Sequence, residues 1–399
     1  MEEDGGLSSG CEEDDADEEA ARFRRKFTGW FFKRPFERIP RGNVADWLAW
    51  SAFNKHARQL SEEQKQVVES LLVYLEERAR CPLTPGYSKK VKSIRLTLDP
   101  IPFVPRPLLF YLVVGMLNLH ARYKLSRLGF TLIKRPVQDY RFEYFHRPGS
   151  KDSTQTPLLF LHGLGMGVAQ YLRFILALER RFPGRELFLL AQGQISMLPT
   201  HRHWLRPPSS QATVRLFEEM ADVHSINGKG GWTVLSHSFG SIPHAWLLKQ
   251  SPCLAQQAKA HVMVDPICFR LWESDVCYNF LYRRPRNAMQ LIMSYFVGKE
   301  LGISYTLHRA FFWYDNLLLP EELRSTGRAG GMMNDLVVYL GGRDEIIDAR
   351  AIRGYLEQAE GVKVRYYHDH AHGKLLNAGH LGGQGLRDVL RAIDQPAKT

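Results

Sequence analysis

From about residue 138 onward, short apolar, β-rich runs alternate with stretches of helical spacing. The runs are Arg141–His146, Leu158–Leu161, Glu186–Leu190, Trp232–Leu235, His261–Val264, Leu336–Leu340 and Val362–Tyr367. Apolar positions at helical spacing mark Val168–Arg181, Ala212–His224, Ile242–Lys249 and Ala351–Ala359. Leu386, Val389, Leu390 and Ile393 mark a last helix, stopped by Pro396. This rhythm predicts an α/β fold, a mostly parallel central sheet with helices on both faces and a site beyond the carboxyl ends of the strands. The rhythm breaks between Asp265 and Leu336, which marks an insertion over about 266–334. Ahead of residue 138 the pattern is helical. Ser61 and Gln64 form a capping box before the stripe Val67, Val68, Leu71, Leu72 and Leu75, predicting a helix over 61–80. Residues 107–121 carry no formal charge. As a helix this stretch is about 22 Å long, short of the roughly 30 Å hydrocarbon core of a bilayer. With Lys89, Lys90, Lys92, Arg95 and Arg106 before it and Arg122, Lys124, Arg127, Lys134 and Arg135 after, it suits shallow membrane insertion. The alternative is a buried helix.

Charge divides the chain. Residues 1–20 hold ten acids and no base, and the other 379 hold 53 bases against 32 acids, a net of +21. The acidic stretch has little apolar surface to bury, which predicts a disordered tail over 1–20. Eight bases and six aromatics crowd residues 22–41. That mixture suits an anionic bilayer surface, the alternative being an aromatic face packed on a neighbouring element. Nucleic acid is not the expected partner. The chain therefore reads as an acidic tail over 1–20, a basic, aromatic, membrane-associating helical region over 21–137, and the α/β domain over 138–399. Five scattered cysteines, odd in number and without a CxxC pair, point to a reducing compartment and away from a disulfide scaffold or zinc ribbon. The first twenty residues combine neither a base nor an apolar stretch, so no signal peptide is read there. An intracellular protein on the cytoplasmic face of an internal membrane is expected.

Two motifs carry chemistry. In Trp232-Thr233-Val234-Leu235-Ser236-His237-Ser238-Phe239-Gly240 an apolar strand runs through small-x-Ser-x-Gly into a helix. A tight strand-to-helix turn needs small flanking residues so that the central hydroxyl, here Ser238, projects clear of the backbone. Ser236 stands where glycine is commoner. In Pro157-Leu158-Leu159-Phe160-Leu161-His162-Gly163-Leu164-Gly165 another strand ends in a glycine-rich turn. The N–H of Leu164 in that turn, together with that of Phe239 beside Ser238, would stabilise an oxyanion. Neither motif is a P-loop or a dinucleotide fingerprint.

In order and spacing these motifs resemble the α/β-hydrolases of the serine esterase and lipase type, over about residues 138–399. The resemblance implies an acid after a late strand. Leu336-Val337-Val338-Tyr339-Leu340-Gly341-Gly342-Arg343-Asp344 offers Asp344, with Asp265 after His261–Val264 as the alternative and Asp348 third. It also implies a histidine some thirty residues later: His372, with His380 and His370 as alternatives. His368, His370 and His372 could instead share a strand face and bind metal, but no partner sits at ligand spacing and no metal or cofactor is expected. Residues 268–314 hold twelve aromatics in 47 positions. The resemblance implies that the insertion over about 266–334 is a helical cap, and a cap of this composition favours a greasy acyl chain, although cap helices also need a core of their own. Asp265–Phe269 and His308–Trp313 resemble eukaryotic members with a membrane-associated N-terminal region. The implied activity is hydrolysis of a lipid or acyl ester by Ser238, His372 and Asp344. Acyl transfer by the same groups and a non-catalytic lipid-binding or scaffold role are the alternatives.

Overall fold

A computed structural model describes residues 9–325, 336–377 and 383–394. The chain forms two compact units, one of residues 1–101 with 273–278, the other of residues 102–272 with 279–399.

The first unit is helical: α1 (Ser9–Phe27), α2 (Arg41–Phe53) and α3 (Glu62–Ala79). Over residues 9–20 the expected disorder of the acidic stretch is replaced by α1, and residues 1–8 lie outside the described residues. Asp17 and Glu19 pair with Arg80 and Arg78 at the end of α3, at 2.7 and 3.2 Å. Exposed pairs contribute only about 0–1 kcal/mol each. Burial of Ala20 and Phe27 anchors the helix more firmly. Four of the six rings of residues 22–41 turn inward. Phe27 packs edge-on against Trp47 at 5.2 Å, Trp30 lies 5.7 Å from Trp50, and Phe31 and Phe36 are buried with them. Phe27, Trp30, Phe31 and Phe36 are therefore core of this unit and do not face a bilayer as expected, whereas Phe23 is half-buried and Phe32 is 43% exposed. Residues 273–278 belong to the same core, with Lys26 bonded to Asp275 at 2.7 Å, Lys33 stacked over Tyr278 and Gly29 packed tightly on Ser274.

The second unit is built on eight strands: β1 (Thr131–Val137), β2 (Tyr140–Arg147), β3 (Leu158–Leu161), β4 (Leu187–Ala191), β5 (Thr233–His237), β6 (Ala260–Val264), β7 (Leu336–Gly341) and β8 (Val362–Tyr367). Their order is β1-β2-β4-β3-β5-β6-β7-β8. The β1/β2 and β2/β4 pairs are antiparallel and the rest are parallel. The inner strands β3, β5, β6 and β7 are buried along their whole length, as continuous apolar runs in a parallel sheet must be. Alternation along β3 divides two cores. Leu158 and Phe160 meet Phe174 and Leu178 of α5 (Leu172–Arg181) and Val389 of the helix Gln384–Asp394. Leu159 and Leu161 meet Leu216 and Phe217 of α6 (Ser210–Val223) and Leu247 of α7 (Ser241–Gln250). Sheet order and layering are those of the α/β-hydrolase fold. Its site lies where β3, β5, β6 and β7 end.

The unit begins at Pro102, ahead of the boundary expected near residue 138. The helix preceding the sheet, α4 (Leu108–Arg127), buries Val114, Ala121 and Leu125, and β1 pairs with β2 at the sheet edge. Between β6 and β7 the cap consists of short pieces, including Ala288–Ile292, the π-helical turn Met293–Gly298 and Leu301–Arg309. Glu300, fully buried, accepts bonds from Tyr111, Trp204 and the N–H of Ile303 at 3.1, 3.3 and 2.9 Å. This ties the helix Leu108–Arg127 to Leu301–Arg309.

Candidate active site

Strand β5 ends at His237, and Ser238 turns the chain toward α7. Ser238 has φ +52°, a left-handed conformation that a residue with a side chain keeps only where its surroundings hold it. The turn is crowded. A Cβ on Gly240 would run into the main chain of Leu161, and one on Gly163 would lie 2.9 Å from the Ser238 Cβ. Ser236, in the place where glycine is commoner, is buried with its hydroxyl bonded to His244 at 2.9 Å.

Ser238 Oγ lies 2.8 Å from Nε2 of His372, and Nδ1 of the same ring lies 2.6 Å from Oδ2 of Asp344. The other Asp344 oxygen accepts the N–H of Ile346 and Ile347, at 2.7 and 3.1 Å, which fixes the carboxylate on the loop after β7. Asp265, at φ +45° after β6, is also at the site. Its two oxygens accept the N–H of Gly341 at 2.8 Å and of Gly373 at 2.7 Å. Acceptor atoms of Asp265 and Asp344 and a ring nitrogen of His372 lie within 4.8 Å of one another. Asp344 and Asp265 thus surround one imidazole rather than competing for one position. Asp348 caps the helix Ala349–Leu356 through the N–H of Ala351 at 3.0 Å. Because β8 stops at Tyr367, His368, His370 and His372 share no strand face. His380 lies outside the described residues.

The charges are coupled. Burial opposes a charge on His372, but Asp344 and then Asp265 outweigh it and raise the imidazole to about 9. Burial raises the Asp265 carboxyl to about 6; the His372 charge opposes this, and Asp344 adds to it. His237, beside Ser238, is driven well below its usual value by burial and then by the His372 charge.

Leu164 follows Gly163 in the turn after β3, and Phe239 follows Ser238 directly. Tyr171 holds this arrangement and had no sequence signal beyond its place in a helical stretch. Its hydroxyl accepts the N–H of Gly163 at 3.0 Å and lies 2.6 Å from Nδ1 of His237. Beside the elbow an open cleft is walled by Tyr140, Phe142, Leu190, Ile242, Trp246 and Phe311. Phe239 also lines it, whereas Ser238 and His372 do not. Away from the site, His146, Glu186 and His224 also cluster within 4.8 Å. Their donors are already committed: Glu186 bonds His146 at 2.8 Å and Lys229 at 2.6 Å, and His224 bonds Tyr144 at 3.0 Å. A cation there would have to displace the Lys229 ammonium.

No protein-family model matches the chain, and no curated protein sequence matches it. Among solved structures it is similar to a membrane phospholipase A described as a bacterial virulence factor, at 14% identity and a TM-score of 0.43, covering 72% of this chain and 96% of that one. It is similar also to naproxen esterase from Bacillus subtilis, at 11% identity and a TM-score of 0.46, covering 69% and 98%. A thermostable esterase from Pseudomonas putida gives 14% identity and a TM-score of 0.48, covering 73% and 91%. By its own sheet order, and by the strand-to-helix elbow at the end of β5, the chain is a protein of α/β-hydrolase fold.

Proposed function

We propose that the protein is a serine hydrolase that cleaves a carboxylic ester bearing an apolar acyl chain. The observation that carries this reading is the hydrogen-bonded line from Asp344 through His372 to a serine at positive φ. His372 Nε2 takes the Ser238 proton as Oγ attacks the acyl carbonyl carbon. Asp344 holds the ring with Nε2 toward the serine and stabilises the imidazolium. The N–H groups of Leu164 and Phe239 receive the oxyanion, contributing roughly 3–4 kcal/mol per donor in the transition state. Collapse expels the alcohol, protonated by His372. Water, deprotonated in turn by His372, then releases the acid and restores Ser238. The aromatic and aliphatic walls of the cleft beside Phe239 support an apolar acyl group.

The test is covalent labelling by a fluorophosphonate, which needs an activated serine but no knowledge of the substrate. Wild type is expected to label and Ser238→Ala to stay unlabelled, with soluble p-nitrophenyl esters of longer acyl chain turned over faster than acetate. Folded wild type that resists the probe even in detergent would leave a lipid-binding role instead.

The pH dependence follows from the site's charges. A protonated His372 cannot accept the serine proton, so the labelling rate should rise with pH and level off only near 9. Asp265→Asn removes one of the negative charges that raise His372, and the rising limb should move toward lower pH. A limb that stays in place would show that Asp265 has no electrostatic hold on the imidazole.

A further inference from the structure

The helix Leu108–Arg127 is apolar on both sides. Its inner side packs through Val114, Ala121 and Leu125. Its outer side presents Leu108, Leu109, Leu112, Met116, Leu119 and Tyr123 to solvent, each between 59% and 81% exposed. Isolated exposed leucines are ordinary, but a whole helix face of them marks an interaction site. A cap segment adjoins it and is exposed in the same way, with Met289 and Leu291 at 58%, Ile292 at 49% and Phe296 at 41%. Phe110 packs on Phe296 at 5.9 Å, Arg106 lies over Tyr295 at 3.9 Å, and Val104 bonds Lys299 at 3.1 Å, so the two segments are joined.

We propose that these two segments form a docking surface for an anionic lipid bilayer. Charge selects that occupant. No acid occurs between Asp99 and Asp139, where the chain has six Lys or Arg, and none between Asp275 and Glu300, where it has four. Arg122, Lys124 and Arg127 at the end of the helix are exposed, as are Arg284 and Arg286 ahead of Ala288–Ile292. Apolar side chains entering the acyl boundary with bases at headgroup level is the pattern of a protein that lies on a membrane. None of the described helices is long and apolar enough to cross one. Docking does not depend on the reading of Ser238; with that reading, it adds that the ester is drawn from a bilayer.

The experiment is flotation of the full chain with phosphatidylcholine vesicles and with vesicles that also contain phosphatidylserine. Three variants are compared with wild type: Leu109→Glu/Leu112→Glu/Met116→Glu, Leu291→Glu/Ile292→Glu, and Arg122→Gln/Lys124→Gln/Arg127→Gln. Wild type should float with the phosphatidylserine vesicles and less as salt is raised. Each glutamate variant should lose at least tenfold in bound fraction. The glutamine variant should lose the preference for phosphatidylserine. Circular dichroism and fluorophosphonate labelling, unchanged in all three, would separate lost docking from lost folding or a lost active site. The proposal fails if wild type does not float or if the glutamate variants float equally well. It also fails if light scattering finds a dimer that these variants convert to monomer, which would make the face a contact between two copies.

Discussion

His372→Ala should lower kcat on a soluble ester by on the order of 10⁵–10⁶, with KM almost unchanged, because the imidazole acts on the reacting atoms rather than on substrate binding. Asp344→Asn should cost about 10⁴, since an amide can stabilise the wrong tautomer and cannot balance the imidazolium. Losses in the double variant should be far from additive, as expected of groups that act as one unit. Initial rates and KM for each variant, with Ser238→Ala as the floor, measure this. A loss of tenfold or less in His372→Ala would transfer the role of base elsewhere. His237 would be the first suspect, since its ring lies 5.4 Å from that of His372 and its Nε2 has no partner among the described residues.

Gly240→Ala should destabilise the protein more than any other single methyl at the elbow. The added Cβ would meet the main chain of Leu161 and His162 rather than a flexible side chain. That main chain cannot retreat, because β3 is hydrogen-bonded to β4 on one side and β5 on the other. Overpacking costs roughly 1–3 kcal/mol where neighbours can shift, and the upper end or beyond is expected here. At about 2–4 °C per kcal/mol for a domain of this size, Tm should fall by roughly 6–12 °C. Gly354→Ala is the control: it sits exposed on the helix Ala349–Leu356 with nothing near its Cβ, and should be neutral or gain up to about 1 kcal/mol. Equal melting of Gly240→Ala and wild type would mean the elbow is looser than its packing implies.

Much of the sheet is readable in the sequence because buried parallel strands are continuous apolar runs. Five of the eight strands announce themselves in this way, and β2 and β8 do so by alternating aromatic or β-branched residues with polar ones. β1 does not: Lys134, Arg135 and Pro136 interrupt it, and an edge strand with one solvated side tolerates all three. Local pattern also fails where partners come from far along the chain. The rings of residues 22–41 read equally well as a membrane face or a core, and Trp47 and Trp50 decide between them. Spacing brings Asp344 and His372 into view, and Asp265 only as a substitute for Asp344. That both carboxylates reach one imidazole depends on β6 and β7 being neighbours in the sheet, with the N–H groups of Gly341 and Gly373 satisfying the second acid. Tyr171 is invisible for the same reason, since its hydroxyl acts on residues in two other loops.

The first unit takes residues 273–278 from far downstream of the helices they join, and this has a consequence for synthesis on the ribosome. Between residue 101 and residue 273 the chain must grow by 171 residues. At about 5–20 residues per second, the helical segment waits on the order of ten to thirty seconds for its last piece. During that interval Lys26 lacks Glu273 and Asp275, and the surface that receives Ser274 stands open to solvent. The nascent chain in this window is the form most exposed to chaperones and to misassembly. Slower translation of residues 102–272 would prolong that exposure.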